Sequence, residues 1–318
     1  MHLDGRLFML DVAAKFFNTL RISGWFHDPA APLASLTLNG EATLAQTAEL
    51  NLPHGGVASL GPDKGFTLQV LRPHEALSPA ATLTFTTTAG WSATVPLAEL
   101  IDERIAARPG HALMADFIAR LEATPNARLL DIGGRDRSRL DRSAAFTRTE
   151  VTVLDILPGA NVDIVADAHD LAALPAEHFD AVQSISVFEH LMMPWAVIPQ
   201  IHRILKPGGL AFIATHQTLG MHDLPWDFWR FSDTAWDALF NRHTGFTIET
   251  RLLESEQFVV PFLITPIKAW AERALGYEAS LVLARKTGPC TMHWPLTPAD
   301  LTATSYPAGT EDPYERKS

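Results

Sequence analysis

The sequence predicts an α/β protein built on a doubly wound parallel sheet, with a smaller β-sandwich-like region ahead of it. Three observations carry this expectation. Beyond residue 127, short apolar runs alternate with amphipathic helical segments, the pattern of repeated βαβ units. Phe179–Val187 (FDAVQSISV) is almost continuously apolar, as a strand buried on both faces must be. Before residue 100 the pattern changes to short alternating runs, rich in β-branched and aromatic residues and punctuated by Pro, Gly, Asn and Asp.

The chain opens on MHLDGRLFMLDVAAKFF, which lacks the basic start and long apolar centre of a signal peptide. LRISGWF (Leu20–Phe26), LASLTLNG (Leu33–Gly40), FTLQVLR (Phe66–Arg72) and ATLTFTTT (Ala81–Thr88) read as strands of a small antiparallel sandwich or barrel over residues 1–100. The GWFHDP segment loosely resembles β-sheet modules attached to bacterial glycan-modifying enzymes. That resemblance implies a glycan-holding role for Trp25, His27 and Trp91; the competing reading makes these aromatics core. Residues 101–126 are expected to link the two regions as helices. In HALMADFIARLEA, Leu113, Phe117, Ile118 and Leu121 share one face.

The stretch that organises the rest is ARLLDIGGRDRSRLDRSAAFTRTEVTVLD, residues 127–155. Leu129, Leu130 and Ile132 form an apolar strand that carries Asp131 and breaks at Gly133-Gly134. A second strand (Val151, Val153, Leu154) ends in Asp155. Parallel strands joined this way bring the glycine turn and the second acid to one sheet edge. A glycine turn admits close approach of a ligand to the backbone, and an acid closing the next strand suits a ribose diol. The G-x-G-x-x-G spacing of dinucleotide sites is absent, so a nucleoside cofactor without phosphates, S-adenosylmethionine (SAM), fits better than NAD.

Further elements follow in order. VDIVADAHDL (Val162–Leu171) gives a short strand ending at Asp167-Ala168-His169. Phe188–Gly209 reads as one helix with Gly208 as its C-terminal cap. Leu210–His216 is the next strand, Ser232–Phe240 contains a helix, and Gly245–Leu253 and Ala279–Lys286 close the sheet. The apolar stretch Phe258–Trp270 is too short to span a bilayer and reads as core helix or buried loop. Residues 287–318 are expected to form an extended tail on the surface.

Composition bounds the function. Of the 318 residues, 47% are hydrophobic and 19% charged, as in a globular protein with ample core. A net charge of −11 argues against non-specific nucleic-acid binding. The single Cys290 excludes an intrachain disulfide and a cysteine zinc site, and points to a reduced, cytoplasmic setting.

With these features in place, residues 127–286 resemble the class I SAM-dependent methyltransferases, in the form of a methyltransferase type 11-like domain behind a β-rich domain. The resemblance rests on LLDIGG (Leu129–Gly134), LDI (Leu154–Ile156), DAHDL (Asp167–Leu171), FDAVQSISVFEHL (Phe179–Leu191) and RILKPGGLAFIAT (Arg203–Thr215), in this order and spacing. It implies a Rossmann-like seven-stranded sheet whose last strand is antiparallel, with the apolar segment before residue 275 inserted as a helix. It implies a SAM site at Asp131, Gly133, Gly134, Asp155, Ile156, Asp167, Ala168, His169 and Ser186. Arg135 or Asp136 stands where the family usually has its third glycine, and Arg135 either reaches the cofactor carboxylate or is solvated.

The loop THQTLGMHDLPWDFWRFS (Thr215–Ser232) sets His216, His222, Asp223, Asp227 and Arg230 among aromatics at the carboxyl end of a strand, where open α/β sheets keep their sites. An oxygen acceptor must lose a proton, and a His suits that task. His216 is the first candidate and His222 the second, oriented by Asp223 or Asp227. Glu189-His190 is a further candidate pair. Arg230 either binds an acidic substrate group or pairs with Asp227 or Asp233. His216, His222 and Asp223 do not make a recognisable metal spacing, and no metal is expected. The expected reaction is O-methylation of a sugar, glycan or other small polar acceptor, in the setting of polysaccharide biosynthesis, by a chain that can form homo-oligomers. Two alternatives stand beside it: a non-catalytic module binding a glycan or partner protein, and a nicotinamide-dependent oxidoreductase.

Overall fold

The computed structural model describes residues 2–73, 76–136, 143–259 and 275–302. Two units divide the chain, Met1–Arg108 and Pro109–Ser318.

In the first unit the strands are β1 (His2–Leu3), β2 (Arg6–Phe16), β3 (Thr19–His27), β4 (Leu33–Asn39), β5 (Ala45–Leu52), β6 (Gly65–Leu71), β7 (Thr82–Thr87) and β8 (Ser92–Pro96), followed by helix α1 (Leu97–Ala106). They form a five-stranded sheet in the order β1-β2-β3-β6-β5 and a three-stranded sheet β4-β7-β8, with every pairing antiparallel. Phe8, Ile22, Phe26, Phe66 and Leu68 of the first sheet share one buried cluster with Leu36, Leu38, Leu83 and Phe85 of the second. This is a two-layer sandwich, made by alternation along each strand. Trp91 packs on Phe26 at 5.9 Å between centroids, beneath the Arg6 guanidinium at 4.3 Å. Its ring is therefore occupied by the protein itself. Trp25 and His27 alternate with the buried Phe26 along β3 and are half-buried.

The second unit opens with helix α2 (Pro109–Glu122) and carries β9 (Arg128–Ile132), β10 (Glu150–Asp155), β11 (Ile164–Val165), β12 (Phe179–Ile185), helix α3 (Pro194–Ile204), β13 (Leu205–His216), helix α4 (Ala235–Leu239), β14 (Phe246–Phe258) and β15 (Leu275–Lys286). Its seven-stranded sheet runs β11-β10-β9-β12-β13-β15-β14, parallel except for β15, which is antiparallel to both neighbours. The expected closing hairpin is thus present. Successive residues of β9 serve opposite layers: Leu129 joins Phe117 and Leu121 of α2, while Leu130 joins Val197, Ile198 and Ile201 of α3. Both faces are covered, which explains the continuous apolarity of β12.

Two expectations are corrected. Phe188–Gly209 is not one helix: a 3-10 turn covers Phe188–His190, and α3 begins only at Pro194, whose missing N–H suits a first helical turn. The Lys206–Gly209 segment belongs to β13, not to a helix cap, and α3 ends instead on an extended Leu205. Phe179 pairs with Leu205 but Ala181 with Leu210, so the extra residues bulge out of the ladder, with Gly208 at φ +81°. The helix expected between β14 and β15 falls on residues 260–274, outside the described residues. Phe258 and Val259, at the start of that apolar run, are 53% and 50% exposed rather than core. Among the described residues no helix is long and apolar enough to cross a membrane.

Candidate active site

The site begins where β9 ends. Gly133 turns at φ +75°, and its N–H donates to the Leu154 carbonyl at 2.7 Å, which locks the turn to β10. A Cβ on Gly133 would lie 2.2 Å from Val187 Cγ2, and one on Gly134 would lie 2.6 Å from the buried Asp131 carboxylate. Neither position has room for a side chain, so bare backbone faces the space above β9. Asp131 itself is buried, 2% exposed.

Asp155 closes β10 and is 9% exposed. Its Oδ1 accepts from the Leu157 N–H at 2.9 Å and from Arg135 Nε at 3.3 Å. Arg135 lines the cavity and pairs with the ribose-binding candidate Asp155 rather than being simply solvated. Asp167 Oδ1 accepts from the His169 backbone N–H at 2.9 Å and contacts His169 Nδ1 at 2.6 Å. The other ring nitrogen, Nε2, accepts from the Met193 N–H at 3.2 Å, so the proton sits on Nδ1 and is donated to Asp167. Burial pushes the Asp167 carboxyl up, but His169 outweighs it and holds the group below its ordinary value.

Gly133, Arg135, Asp155, Ile156, Asp167, Ala168, His169 and Ser186 line one cavity of about 360 Å³, whereas Asp131 and Gly134, also expected at the cofactor, are not part of its wall. The far wall is made by His190, Leu191, Met192, Asp223 and Trp226. Ser186 adopts φ +57° and its N–H donates to the Ala214 carbonyl at 2.9 Å. Sequence reasoning missed one wall: Pro298, Ala299 and Thr302 of the tail also line the cavity. The readable signal was Thr297-Pro298-Ala299-Asp300, a capping box that starts a helical turn there.

The five polar residues of the acceptor loop divide into three groups. Asp223 stands on the cavity wall, as does His190, which precedes the loop. His216 and His222 instead surround Glu189, which is completely buried. Glu189 Oε2 accepts from the Thr215 hydroxyl, and Oε1 lies 3.1 Å from His216 Nε2. Burial alone would raise the Glu189 pKa and lower that of His216. Their mutual attraction overrides burial on both sides, so Glu189 titrates below and His216 above its ordinary value. Asp227 holds Arg230 through two contacts, at 2.6 and 2.7 Å. Arg230 also donates to the Leu219 and Gly220 carbonyls, so its guanidinium orders the loop.

The glycine turn, the acid at the end of β10 and the sheet order are those that the resemblance of this segment to class I SAM-dependent methyltransferases implies. Residues 106–255 match the family model described as a methyltransferase domain. The ubiquinone biosynthesis O-methyltransferase of Xanthomonas campestris pv. campestris is 34% identical over 125 residues, covering 34% of this chain and 52% of the relative. Its namesake from Xylella fastidiosa is 30% identical over 125 residues, covering 34% and 50%. The chain therefore spans about half the length of the curated relatives it matches. Among solved structures, a SAM-dependent methyltransferase from Archaeoglobus fulgidus aligns over 55% of this chain and 92% of its own, at 16% identity and a TM-score of 0.42. The YcgJ protein from Bacillus subtilis aligns over 56% and 100%, at 15% identity and a TM-score of 0.42. SAM is the cofactor this class implies, and the side-chain-free turn at Gly133 beside Asp155 fits it.

Proposed function

We propose that this chain transfers the methyl group of SAM to an oxygen of a small polar acceptor, with His190 as general base. The observation that carries this reading is the tautomer of His190. Its Nδ1 lies 2.7 Å from the Trp226 carbonyl oxygen, which can only accept, so Nδ1 holds a proton and in the neutral ring Nε2, 3.8 Å from the Glu189 and Asp223 carboxylates, is the basic nitrogen. His216, the first choice on sequence, lies behind that wall in an ion pair with Glu189.

SAM brings an already activated sulfonium methyl, so orientation is the protein's main contribution. Gly133 would admit the cofactor to the backbone, with Gly134 packed on Asp131 beside it. Asp155 accepts from its ribose, and Asp167, pinned by His169, accepts from the adenine amino group. His190 Nε2 takes the acceptor proton as the oxygen attacks. The O–CH3 bond forms, the S–CH3 bond breaks, and the electron pair returns to sulfur.

A sugar, glycan or similar polyhydroxylated molecule is the acceptor class we favour, because an aromatic residue, Trp226, and a carboxylate, Asp223, line the same wall. The matched relatives, named as O-methyltransferases, support oxygen as the methylated atom. A reducing cytoplasmic setting agrees with the lone Cys290. The test is transfer of radiolabelled methyl from SAM to a panel of sugars and phenols. Label on a hydroxyl acceptor, abolished in His190→Ala, supports the reading; label on amines only removes the oxygen assignment.

A further inference from the structure

We propose a second site, for a divalent first-row transition ion such as zinc, formed by Glu189 Oε1, His216 Nε2 and His222 Nε2. These three residues come from separate positions on the chain, the turn after β12, the end of β13 and the loop beyond it. Each presents a ligating atom within 4.8 Å of the others. Glu189 Oε1 lies 3.1 Å from His216 Nε2 and 3.9 Å from His222 Nε2. Ligands held about 2.0–2.1 Å from a tetrahedral zinc lie roughly 3.3 Å apart, between those two distances.

Three further observations favour an ion over a simple ion pair. Oε1 is buried, and no donor among the described residues meets it with hydrogen-bond geometry, although imidazole nitrogens crowd around it. His222 Nδ1 lies 3.1 Å from the Gly220 carbonyl, which fixes its proton on Nδ1 and leaves Nε2 as a lone pair toward Glu189. Glu189 is in turn oriented by the Thr215 hydroxyl on Oε2. Glu189 and His222 are thus steadied from behind, and a carboxylate with two imidazoles is a donor set that suits zinc, iron or cobalt and disfavours magnesium.

The consequence is mechanical. His222 belongs to the loop that carries Asp223 and Trp226 to the cavity wall, whereas Glu189 and His216 belong to the sheet edge. An ion across them pins the acceptor wall to the sheet. His190 is not among the three ligands, but its Nε2 lies 3.8 Å from Glu189 Oε1, so an ion there would border the proposed base.

The test is a titration of cobalt(II), then zinc(II), into chelator-treated whole chain, followed by visible absorption and melting temperature. The expected result is a one-to-one ligand-field band, displaced by zinc, with a raised melting temperature and no response to magnesium. His222→Ala and His216→Gln should each weaken cobalt binding by at least about tenfold, the lower bound for losing even an outer-sphere partner. His243→Ala, at an exposed His elsewhere, should change nothing. His222 is partly exposed, so its variant should fold, which its melting curve checks. Absence of the band in wild type, or a band retained in both variants, overturns the proposal. SAM calorimetry on the metal-free protein tests the methyltransferase reading separately.

Discussion

His190 Nδ1 and the Trp226 carbonyl oxygen are 2.7 Å apart, and this one contact sets the chemistry of the cavity wall. It fixes which ring nitrogen is basic, and it ties the turn after β12 to the loop after β13. Replacing His190 with Asn should therefore lower kcat by about 10²–10⁴, the usual worth of general base catalysis, while SAM affinity changes little. The ascending limb of the pH–rate profile should flatten in the variant. Steady-state kinetics with any accepted hydroxyl substrate checks both points; an unchanged kcat would remove His190 from the mechanism.

Gly133→Ala should destabilise the protein and abolish SAM binding together. The residue sits at φ +75°, which costs a non-glycine residue about 1–2 kcal/mol, and its Cβ would collide with Val187 at 2.2 Å. At roughly 2–4 °C per kcal/mol for a unit of this size, the melting temperature should fall by several degrees. A calorimetric scan with and without SAM reads both effects.

Glu122 predicts a pH-dependent loss of stability. Its carboxylate accepts from the Thr147 and Thr149 hydroxyls, both at 2.7 Å, and from backbone N–H groups of residues 147–149. Those hydrogen bonds hold its pKa down to about 2, from an ordinary 4.5. A depressed folded-state value means that the stabilisation is complete above about 4.5 and is lost as the pH falls toward 2. Glu122→Gln should be less stable than wild type at pH 7, with the gap narrowing at pH 3. Urea midpoints at the two pH values give the comparison.

Much of this was legible in the sequence, for identifiable reasons. Asp155, Gly133 and Asp167 were readable because strand ends and glycine turns are local, and parallel pairing forces them to one edge. The alternation implied a doubly wound sheet, and the family resemblance supplied its seven strands and antiparallel closing strand. Arg6–Phe16 was not read as a strand: its apolar residues, Leu7 to Leu10 and Val12 to Ala14, run together instead of alternating, and a bulge between Leu10 and Val12 resets the register. The Lys206–Gly209 bulge resembles a helix stop in composition and is distinguished only by its pairing with β12. In the acceptor loop, residue types were legible but directions were not. Which imidazole meets the cavity depends on Glu189, a residue separated from His216 by most of a βαβ unit and buried only once α3 and β13 pack. The cavity wall made by Pro298 and Ala299 is a tertiary contact of a tail with no strong periodicity of its own.

Arg135→Ala probes the pair that the sequence left open. Arg135 Nε is 3.3 Å from Asp155 Oδ1, so its removal frees one carboxylate oxygen while exposing the acid to water. We expect SAM affinity to move by no more than a few-fold, since partly exposed ion pairs contribute about 0–1 kcal/mol. A calorimetric Kd shifted beyond tenfold would assign Arg135 a direct contact with the cofactor.

Titration of SAM into the 318-residue chain by calorimetry, with Asp155→Ala alongside, tests the central claim most directly. The account predicts one-to-one binding to wild type, and at least about a tenfold weaker Kd in the variant, because hydrogen bonds to a charged group contribute about 1.5–3 kcal/mol. No heat with wild type, or equal affinity in both proteins, would contradict it.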